Sequence, residues 1–545
     1  MSPKKSVDIN GISMNILKKC KNELSVVLAN LFTKSFRSGV VPSQMKLSKI
    51  VPIFKKGDPL DCANYRGICL IENCGKVLEK IVQIRLYGYL EKNKLIYKNQ
   101  YGFRRKTGTS HCVLNLINDI SKAFNDDQMS SVLSLDVQKA FDIINWDILF
   151  AKLEHYGIKN GALRWFQSYF QNRTSQVSVN GILGSIICSL KRGVCQGSCL
   201  GPLLFLLYIN DLPNCLTGTS ASTLFADDNQ VFNRASDIVT LANNINLDIK
   251  NLVNWYVLNK LPIHPGKTSL TFYTPNKLNK KFKIPLDSTG KCTLNIVTDF
   301  NFDPINYDSS KCHPVSITNL QDDCDGGVKI LGLVLDPHLN FKYQSKLTSS
   351  KVKSSIYALK RASTFLKQQE LLKLYHAFVR SHINYMAPFL NICTKETMNS
   401  LNMADRAALR AVVGVGMMDP ISHMYKELKI PTLQELNTIY VGKFMHRLFI
   451  KDLKGNFEDF WKKVGERVGR ENLRNIDDFD SPQHVRFTHL KQFPLFHFPE
   501  TFNKLTQELK NIPKPKTFAN TFKKFVLSGG DNREAIELTD DILIN

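Results

Sequence analysis

The feature that most constrains this chain is an acidic pair, Asp227 and Asp228, set between two apolar runs in the segment STLFADDNQVF. Such runs predict two buried strands joined by a tight turn. Neighbouring carboxylates in a buried turn repel one another, so the arrangement persists where a cation is bound, and a divalent metal is the natural cation. A solvated Asp-rich β-turn is the alternative, and the segment alone does not decide between the two.

A third carboxylate favours the metal site. The apolar run in LSLDVQKAFDIINW predicts a strand that ends at Asp136. Two metals about 3.5–4 Å apart, bridged by carboxylates from different strands, can activate a 3′-hydroxyl and stabilise a pyrophosphate leaving group. Asp136, Asp227 and Asp228 supply those ligands, whereas Asp142 is interpreted as a carboxylate in the first turn of a helix. The Asp-Asp pairs elsewhere, at 126–127, 322–323, 477–478 and 540–541, lie in polar or helix-terminal settings that a solvated turn or an N-cap explains.

The charge balance indicates a polyanionic partner. The 72 Lys and Arg residues against 48 Asp and Glu give a formal net charge of +24, which favours nucleic acid.

The length predicts roughly three to four domains. The longest apolar stretch, 199–209, is shorter than the about 20 residues that cross a bilayer, and no secretory signal is visible. We therefore expect no membrane association and a reducing compartment, in which the 13 cysteines, without a CxxC pair, are mostly buried thiols.

Hydrophobic periodicity predicts a mixed α+β chain. It indicates a hairpin in SQVSVNGILGSIICSL, an apolar helix interrupted by Gly and Pro just after it, and a helix over 146–156. Residues 328–335 predict one apolar strand, and the pattern then becomes helical over 347–366, 370–380 and 395–413. Periodicity fades over 277–327, as in a long loop or insertion, and the tail from residue 457 cannot be assigned.

Six segments in a fixed order resemble the reverse transcriptases of non-LTR (LINE-type) retrotransposons. LDVQKAFD, GVCQGSCLGPLLFLLYIND and FADD are similar to that family's A, B and C motifs, and VPIFKKGD, NYRGICL and QYGFRRKTGTS are similar to its fingers motifs. NKLPIHPGKTSLTFY and VKILGLVLD resemble the segments that close the palm, and LYHAFVRSHINYMAPFLN resembles the start of the thumb. The resemblance covers about 46–415, and it alone implies RNA as the template.

The resemblance implies an α+β right-hand polymerase, with fingers, a palm of antiparallel sheet plus helices, and a helical thumb. The implied boundaries are a truncated leader at 1–45, fingers at 46–130, palm at 131–275, an insertion at 276–327, a palm-closing strand at 328–345, a thumb at 346–415 and a C-terminal region of unknown role at 416–545. The leader pattern is K-S-x-G-x-D-G-I, from which Asp8 and Asn10 depart. No endonuclease domain is recognised, so we expect a missing segment or another protein to supply one.

The activity that the resemblance implies is RNA-directed DNA polymerisation, in which dNTPs extend a DNA primer 3′-hydroxyl on an RNA template. Two Mg²⁺ ions, with Mn²⁺ as a substitute, would be held by Asp136, Asp227 and Asp228. Lys267 resembles a lysine that protonates the pyrophosphate leaving group. The expected location is a cytoplasmic ribonucleoprotein and the nucleus.

The same likeness implies the nucleotide-binding residues Lys55, Arg66, Phe141, Gln196 and Gly197. Phe141 falls where a bulky ring blocks a 2′-hydroxyl, with core packing as the alternative. Arg66 matches a triphosphate-binding arginine, to which Lys55 or Lys56 would add point charges. Gln196 and Gly197 match the segment that lines the incoming nucleotide and the template base.

Two departures from the family pattern are Cys195 and Gly67, which stand where prolines are expected, so the turn at Cys195 loses its fixed φ. They argue for a first alternative, a degenerate or host-adopted nucleic-acid-binding relic. A second alternative is a maturase or a telomerase-like polymerase. A viral RNA-dependent RNA polymerase is disfavoured because it would carry a polar residue at Phe141 and a glycine at Ala226.

Further basic residues are candidates for tracking the template and primer backbones, with a solvated charged surface as the competing explanation. They are Arg104, Arg105, Lys106, Lys351, Lys353, Lys360 and Arg361.

Overall fold

The computed structural model describes residues 6–264, 267–274, 327–464, 466, 477–480, 485–486 and 488–529, so nearly all of the expected insertion lies outside the described residues. It is a mixed α/β structure with antiparallel sheets and many helices. The strands are β1 (Leu47–Phe54), β2 (Tyr65–Ile71), β3 (Met129–Leu135), β4 (Thr174–Val179), β5 (Ile182–Ser189), β6 (Ala221–Phe225), β7 (Asp228–Ala235), β8 (Ser269–Tyr273), β9 (Val328–Ile330) and β10 (Leu333–Leu335). The helices are α1 (Met14–Lys19), α2 (Lys21–Ser38), α3 (Asn73–Lys92), α4 (Thr109–Asn125), α5 (Ala140–Ile143), α6 (Trp146–His155), α7 (Asn160–Phe170), α8 (Gly201–Ile209), α9 (Ile238–Leu258), α10 (Lys342–Ala362), α11 (Gln368–Tyr375), α12 (Ser381–Tyr385), α13 (Lys395–Val413), α14 (Ser422–Glu427), α15 (Leu433–Phe449), α16 (Phe457–Phe460), α17 (Pro494–Asn503), α18 (Gln507–Lys510) and α19 (Pro515–Leu527).

One sheet, in the order β6-β7-β3-β8, is antiparallel throughout and packs on both faces. Strand β3 is buried along most of its length. Its successive side chains point to opposite faces of the sheet, and an apolar core covers each face. Val132 joins the core that contains α4, whereas Leu133 and Leu135 join the core that contains α9. The predicted strand before Asp136 is confirmed, and it lies between two apolar layers that fix its register.

The second sheet has the order β2-β1-β4-β5. The hairpin predicted over 175–190 is confirmed as β4 and β5, but β4 also pairs in parallel with β1. The sheet therefore crosses the boundary expected between 130 and 131. Helix α3 follows β2 directly, and α8 follows the loop after β5.

The prediction of a single strand over 328–335 is wrong. Strands β9 and β10 form a short antiparallel hairpin, in which Ile330 pairs with Leu333. Leu331 and Gly332 form the turn and have φ angles of 47° and 89°, as a two-residue hairpin requires. The turn was missed because Leu331, an apolar residue, occupies its first position, so the segment has the pattern of one strand.

The rest of the described chain is mainly helical, and the helices predicted over 347–366, 370–380 and 395–413 are confirmed as α10, α11 with its π-helical continuation His376–Arg380, and α13. The unassigned tail forms α16 to α19 and shares one apolar core with α4 and with α10 to α15. Trp461 stacks on Phe498 at 5.7 Å between ring centroids, and Phe444 packs edge-on against Trp461 at 5.7 Å. In the described part of the chain, no helix has the length and apolar character that a bilayer span needs.

A buried ionic network holds the helical region together. Arg380 donates to Asp405 at 2.9 Å and to the carbonyl of Pro431 at 2.8 Å. The hydroxyls of Tyr375 and Tyr425 each donate to Asp405 at 2.7 Å. Because both carboxylate oxygens are satisfied, the desolvation cost of the charge pair is offset by directed hydrogen bonds.

The prediction of mostly buried cysteines is confirmed only in part. Ten cysteines are described, all as free thiols. The buried ones are Cys69, Cys112, Cys195 and Cys393, and the exposed ones are Cys20, Cys62 and Cys188.

A second ionic cluster joins α3 to the region before α16. The carboxylate of Glu91 accepts hydrogen bonds from Arg104 at 2.8 and 3.2 Å and from the hydroxyl of Tyr87 at 2.9 Å, and it lies 3.2 Å from the ammonium of Lys454. Burial alone would raise the pKa of Glu91, but the hydrogen bonds and the charge of Arg104, with Tyr87 and Lys454, outweigh it and lower the pKa to about 2. Arg104 is therefore occupied by a carboxylate.

The first prediction concerns acid stability. The folded pKa of Glu91 lies below its ordinary value of 4.5, so its stabilisation is complete above about pH 4.5 and is lost as the pH falls towards 2. We expect Glu91→Gln to lower the free energy of unfolding at pH 7 by on the order of 3 kcal/mol, and the gap from the wild type to shrink below about pH 4.5. Urea unfolding across this pH range measures the gap.

The control is Glu500→Gln, which removes a pair with Lys504 in which both side chains are more than half exposed. Its effect is expected to stay below about 1 kcal/mol at every pH. A gap for Glu91→Gln that stays constant down to pH 3 contradicts the ionic explanation.

Candidate active site

The acidic pair lies in the tight turn that the sequence predicts. Strand β6 ends at Phe225, Ala226 and Asp227 make the turn, and Asp228 opens β7 and pairs with Phe225. Ala226 has a φ of 58°, an uncommon conformation for a residue with a β-carbon. The turn is thus held in a costly shape that the surrounding structure must support.

The register of the sheet brings Asp136 to this turn. Leu135, the last residue of β3, pairs with Asn229 of β7, so Asp136 follows on beside Asp228. Burial, then the charges of Asp227 and Asp136, raise the pKa of Asp228 to about 6. Burial also raises the pKa of Asp227 above its usual range, and the charge of Asp136 adds to that shift. The three predicted ligands are therefore electrostatically coupled.

Lys267 supplies the main counter-charge. The backbone N–H of His264 donates to the carbonyl of Asp136 at 2.8 Å, and a β-bridge joins Val137 to Ile263. This pairing brings the ammonium of Lys267 into an ion pair with the Asp136 carboxylate. The charge of Lys267 also opposes the rise in the pKa of Asp227 and Asp228, so one lysine acts on all three acids.

The loop at 99–102 supports the acidic turn from the other side. Tyr101 N–H donates to the carbonyl of Leu224 at 2.8 Å, and the side-chain oxygen of Gln100 accepts from the N–H of Ala226 at 3.1 Å. A β-carbon on Gly102 would lie 2.2 Å from the nitrogen of Ala226, so only glycine permits this approach. Sequence reasoning identified the motif QYGFRRKTGTS but missed Gln100, because only tertiary pairing shows its partner.

The donor set suits a hard divalent cation, since all three side chains offer carboxylate oxygens. Among the described residues, no three His, Cys, Asp or Glu side chains are clustered as a ready-made metal site. Asp136 instead pairs with Lys267. The raised pKa of Asp228 indicates negative charge that this lysine does not fully offset, and it is the structural feature that fits a bound cation.

Phe141 is half-buried and lies in the first turn of α5, five residues after Asp136. Its ring stacks on Phe205 of α8 with 5.0 Å between centroids and packs edge-on against Phe103 at 5.9 Å. The carbonyl of Phe141 accepts from the N–H of Val194 at 2.7 Å. The ring therefore has core contacts and also stands between the acidic end of the sheet and the loop before α8.

That loop carries Gln196 and Gly197. Gly197 has a φ of 123°, and a β-carbon there would lie 2.5 Å from the carbonyl oxygen of Cys69. The N–H of Cys69 donates to the carbonyl of Gln196 at 2.7 Å, so β2 and the loop are joined. The side-chain amide of Gln196 contacts both oxygens of Asp142 at 2.8 and 2.9 Å. Asp142 lies in the first turn of α5, as expected, but its link to Gln196 was missed because no local pattern indicates it.

Cys195, in place of the expected proline, is held by its side chain. Its sulfur accepts from Arg173 at 3.7 Å, and the thiol is in hydrogen-bonding contact with Cys69. This hydrogen bond, together with the charge of Arg173, lowers the pKa of Cys195 to about 7 although burial opposes the shift. The turn has thus gained side-chain anchors where it lacks the fixed φ of proline.

The basic candidates fall into two groups. Arg66 is exposed on β2, and its positive charge opposes the rise in the pKa of Asp227 that burial causes, so it acts on the acidic site. Lys55 is exposed just after β1, and its described hydrogen bond is a backbone one to Asn64 at 2.9 Å. The structure brings Lys267 and Arg66 to the carboxylates but gives Lys55 no described contact with them.

Several of the other basic side chains are already engaged. Lys106 pairs with Asp452, and Arg105 lies over the ring of Tyr87 at 5.1 Å. The basic residues of α10 are exposed, as a solvated face or a backbone-tracking surface would both require; they are Lys351, Lys353, Lys360 and, in the same helix, Arg361.

Comparison with known proteins gives a family match and distant relatives. Residues 53–332 match the family described as reverse transcriptase (RNA-dependent DNA polymerase). The chain is 24% identical over 463 residues to "Probable RNA-directed DNA polymerase from transposon BS" of Drosophila melanogaster, covering 82% of this chain and 47% of that protein. It is 22% identical over 458 residues to "RNA-directed DNA polymerase from mobile element jockey" of Drosophila funebris, covering 82% and 46%.

Among solved structures, telomerase from Candida albicans superposes with a TM-score of 0.34 and 13% identity over 74% of this chain and 68% of that one, a likeness too low to bear on the fold. The chain spans about half the length of the curated relatives it matches. Because the family match covers just over half of the 545 residues, this protein belongs to the reverse transcriptase (RNA-dependent DNA polymerase) family.

Proposed function

We propose that this chain is an RNA-directed DNA polymerase of the non-LTR retrotransposon type, which extends a DNA primer with dNTPs along an RNA template. The observation that carries the proposal is the meeting of Asp136, Asp227 and Asp228 at one end of the antiparallel sheet. Gathering three carboxylates there is costly and raises the pKa of Asp228, a cost that phosphoryl-transfer chemistry on bound cations explains.

Magnesium ions would be held by these three residues, and manganese would substitute for magnesium. When bound, the ions activate the primer hydroxyl and neutralise charge on the departing pyrophosphate. Lys267 is assigned the role of holding or donating a proton to that leaving group, and its ion pair with Asp136 supports the assignment. Gln100 holds the backbone of the turn through Ala226 and so fixes the direction of the two following carboxylates.

The nucleotide would bind beside the carboxylates. Arg66 is suited to the triphosphate because guanidinium binds phosphate in a bidentate manner, and Lys55 would add a point charge. Gln196 and Gly197 would line the base, and Phe141 would exclude a 2′-hydroxyl. The direct link from Cys69 on the strand of Arg66 to Gln196 supports a common site.

We further propose the right-hand arrangement for the chain. The sheet β6-β7-β3-β8 would be the core of a palm over 131–275, with fingers at 46–130, an insertion at 276–327 and a closing segment at 328–345. The exposed basic face of α10 supports a thumb over 346–415 that contacts the RNA template and the DNA primer. The leader at 1–45 and the region 416–545 would complete the chain without a proposed chemical role.

The second prediction tests the carboxylates. With Mg²⁺ and a poly(rA)/oligo(dT) primer-template, the wild type is expected to incorporate dTTP. The double variant Asp227→Asn, Asp228→Asn is expected to lose on the order of 10³-fold in rate or more, because two ligands for the cations lose their charge. Filter binding of the same duplex is expected to be unchanged or stronger.

The matched control is Asp126→Asn, Asp127→Asn, the same change in an acidic pair that contacts Arg234 and Arg486 on the surface. It is expected to retain the wild-type rate. Salt-sensitive duplex binding without incorporation by the wild type would sink the enzyme proposal and favour the nucleic-acid-binding relic.

The third prediction concerns sugar selection by Phe141. Phe141→Ala is expected to reduce discrimination against UTP relative to dTTP by on the order of 10- to 100-fold, because the ring no longer meets the 2′-hydroxyl. The measurement is kcat/KM for each nucleotide. Phe141→Tyr, which keeps the ring and its stack on Phe205, serves as the control. If rates with both nucleotides fall together and the melting temperature drops, Phe141 is a packing residue only.

The fourth prediction concerns Gly102. The β-carbon of Gly102→Ala would meet the nitrogen of Ala226 at 2.2 Å and displace the acidic turn. We expect a loss on the order of 10²-fold in kcat, since misplacement of catalytic groups by about 1 Å has this effect. The control is Gly108→Ala, where nothing lies within 4 Å of the added carbon. Equal kcat values for the two variants would contradict the supporting role of the 99–102 loop.

A further inference from the structure

A buried carboxylate on α3 contacts the loop that carries Gln196 and Gly197. Glu79 is 2% exposed. One of its oxygens accepts from the hydroxyl of Ser198 at 2.9 Å and from the backbone N–H of Cys199 at 2.7 Å. The side of the loop that leads into α8 is thus fastened directly to α3.

The other oxygen of Glu79 is linked to the opposite side of the loop through Tyr169 and Arg173. It accepts from the hydroxyl of Tyr169 at 2.6 Å and lies 3.9 Å from the guanidinium of Arg173. Arg173, 3% exposed, donates to the sulfur of Cys195 at 3.7 Å and to the carbonyl of Tyr169 at 3.0 Å. Anchors therefore flank Gln196 and Gly197 on both sides.

Ser198 links Glu79 to the start of α8 through hydrogen bonds. While its hydroxyl donates to Glu79, its oxygen accepts from the N–H groups of Leu200 and Gly201, each at 3.0 Å. These are N–H groups at the start of α8, which lack partners within the helix. A single side chain on α3 thereby contacts the loop directly and the start of the following helix through Ser198.

We infer that Glu79 is a positioning residue for the nucleotide site: it holds Gln196 and Gly197 in the conformation that receives the incoming dNTP. This inference rests on the proposed polymerase function and adds a determinant of dNTP affinity to it. A buried carboxylate is costly unless its hydrogen bonds are complete. Glu79 accepts hydrogen bonds from the loop and from Tyr169, and it forms an ion pair with Arg173. The residue does not touch the nucleotide, so it acts through the loop.

The fifth prediction compares Glu79→Leu with the wild type. Leucine offers no acceptor, so the hydrogen bonds from the Ser198 hydroxyl and the Cys199 N–H, which both go to one oxygen of Glu79, are lost together. We expect the KM for dTTP to rise by on the order of 10-fold, kcat to change by less than about 3-fold, and the affinity for the primer-template to be unchanged. Ser198→Ala is expected to raise KM by a similar factor. In the double variant, the rise in KM is expected to be well below the product of the two single rises, because both changes act through one loop.

Two control variants separate positioning from general destabilisation. Glu91→Gln removes another carboxylate of α3, which contacts Arg104 away from the loop, and is expected to lower stability without raising KM. Tyr169→Phe removes a hydrogen bond to Glu79 and the 3.1 Å contact between the Tyr169 and Ser198 hydroxyls, but it leaves both hydrogen bonds that Glu79 accepts from the loop. It is expected to retain a KM close to that of the wild type.

A second readout needs no activity. Hydrogen exchange of the backbone amides over 199–201 is expected to be faster by about 10-fold or more in Glu79→Leu, and unchanged in Glu91→Gln. Unchanged exchange in Glu79→Leu overturns the inference, and so does faster exchange with an unaltered KM. If the wild type incorporates no nucleotide, the polymerase proposal fails. The exchange measurement still tests the role of Glu79 in the loop: faster exchange in the Glu79 variant than in the wild type supports it, and unchanged exchange contradicts it.

Discussion

The structure around the active site depends on the pairing of β3 with β7, which sets Leu135 opposite Asn229 and so brings Asp136 beside Asp228. A slip of one residue in this register would turn Leu133 and Leu135 from one apolar core to the other face, so the hydrophobic layers enforce it. The free energy of core packing therefore offsets the repulsion among the carboxylates. Burial is the largest cause of the raised pKa of Asp228, and the charges of Asp227 and Asp136 add to it.

The supports of the site converge from separate parts of the chain. Gln100 holds the acidic turn, and Lys267 is delivered by the segment that pairs with the chain after β3. The second sheet takes part because the N–H of Cys69 on β2 donates to the carbonyl of Gln196, which joins the strand that carries Arg66 to the loop before α8. The proposed nucleotide site is thus framed by both sheets rather than by one.

Much of this site was predictable from the sequence, because the signals are local. The turn at Asp227 lies between two short apolar strands, and the strand before Asp136 shows a run long enough to recognise. The partners of Gln196 and Glu79 were not predictable, because they are distant along the chain. Asp142 lies 54 residues from Gln196, and Ser198 lies 119 residues from Glu79. The β9–β10 turn was also missed, because Leu331 stands at its first position and Gly332 is its only residue of the kind that usually marks a reversal.

The tail shows most clearly what periodicity misses. Its short helices carry scattered Phe and Trp residues rather than a regular stripe, because each meets several neighbours at once: Trp461 contacts both Phe444 and Phe498. This aromatic core also contains α4, whose other neighbours include Val132 of the catalytic sheet. Since α4 is buried on nearly all sides, the sheet, α4 and the C-terminal helices form successive layers of one packed body. The position of Asp136 is therefore set by apolar contacts that extend to residues far beyond the motifs of the polymerase family.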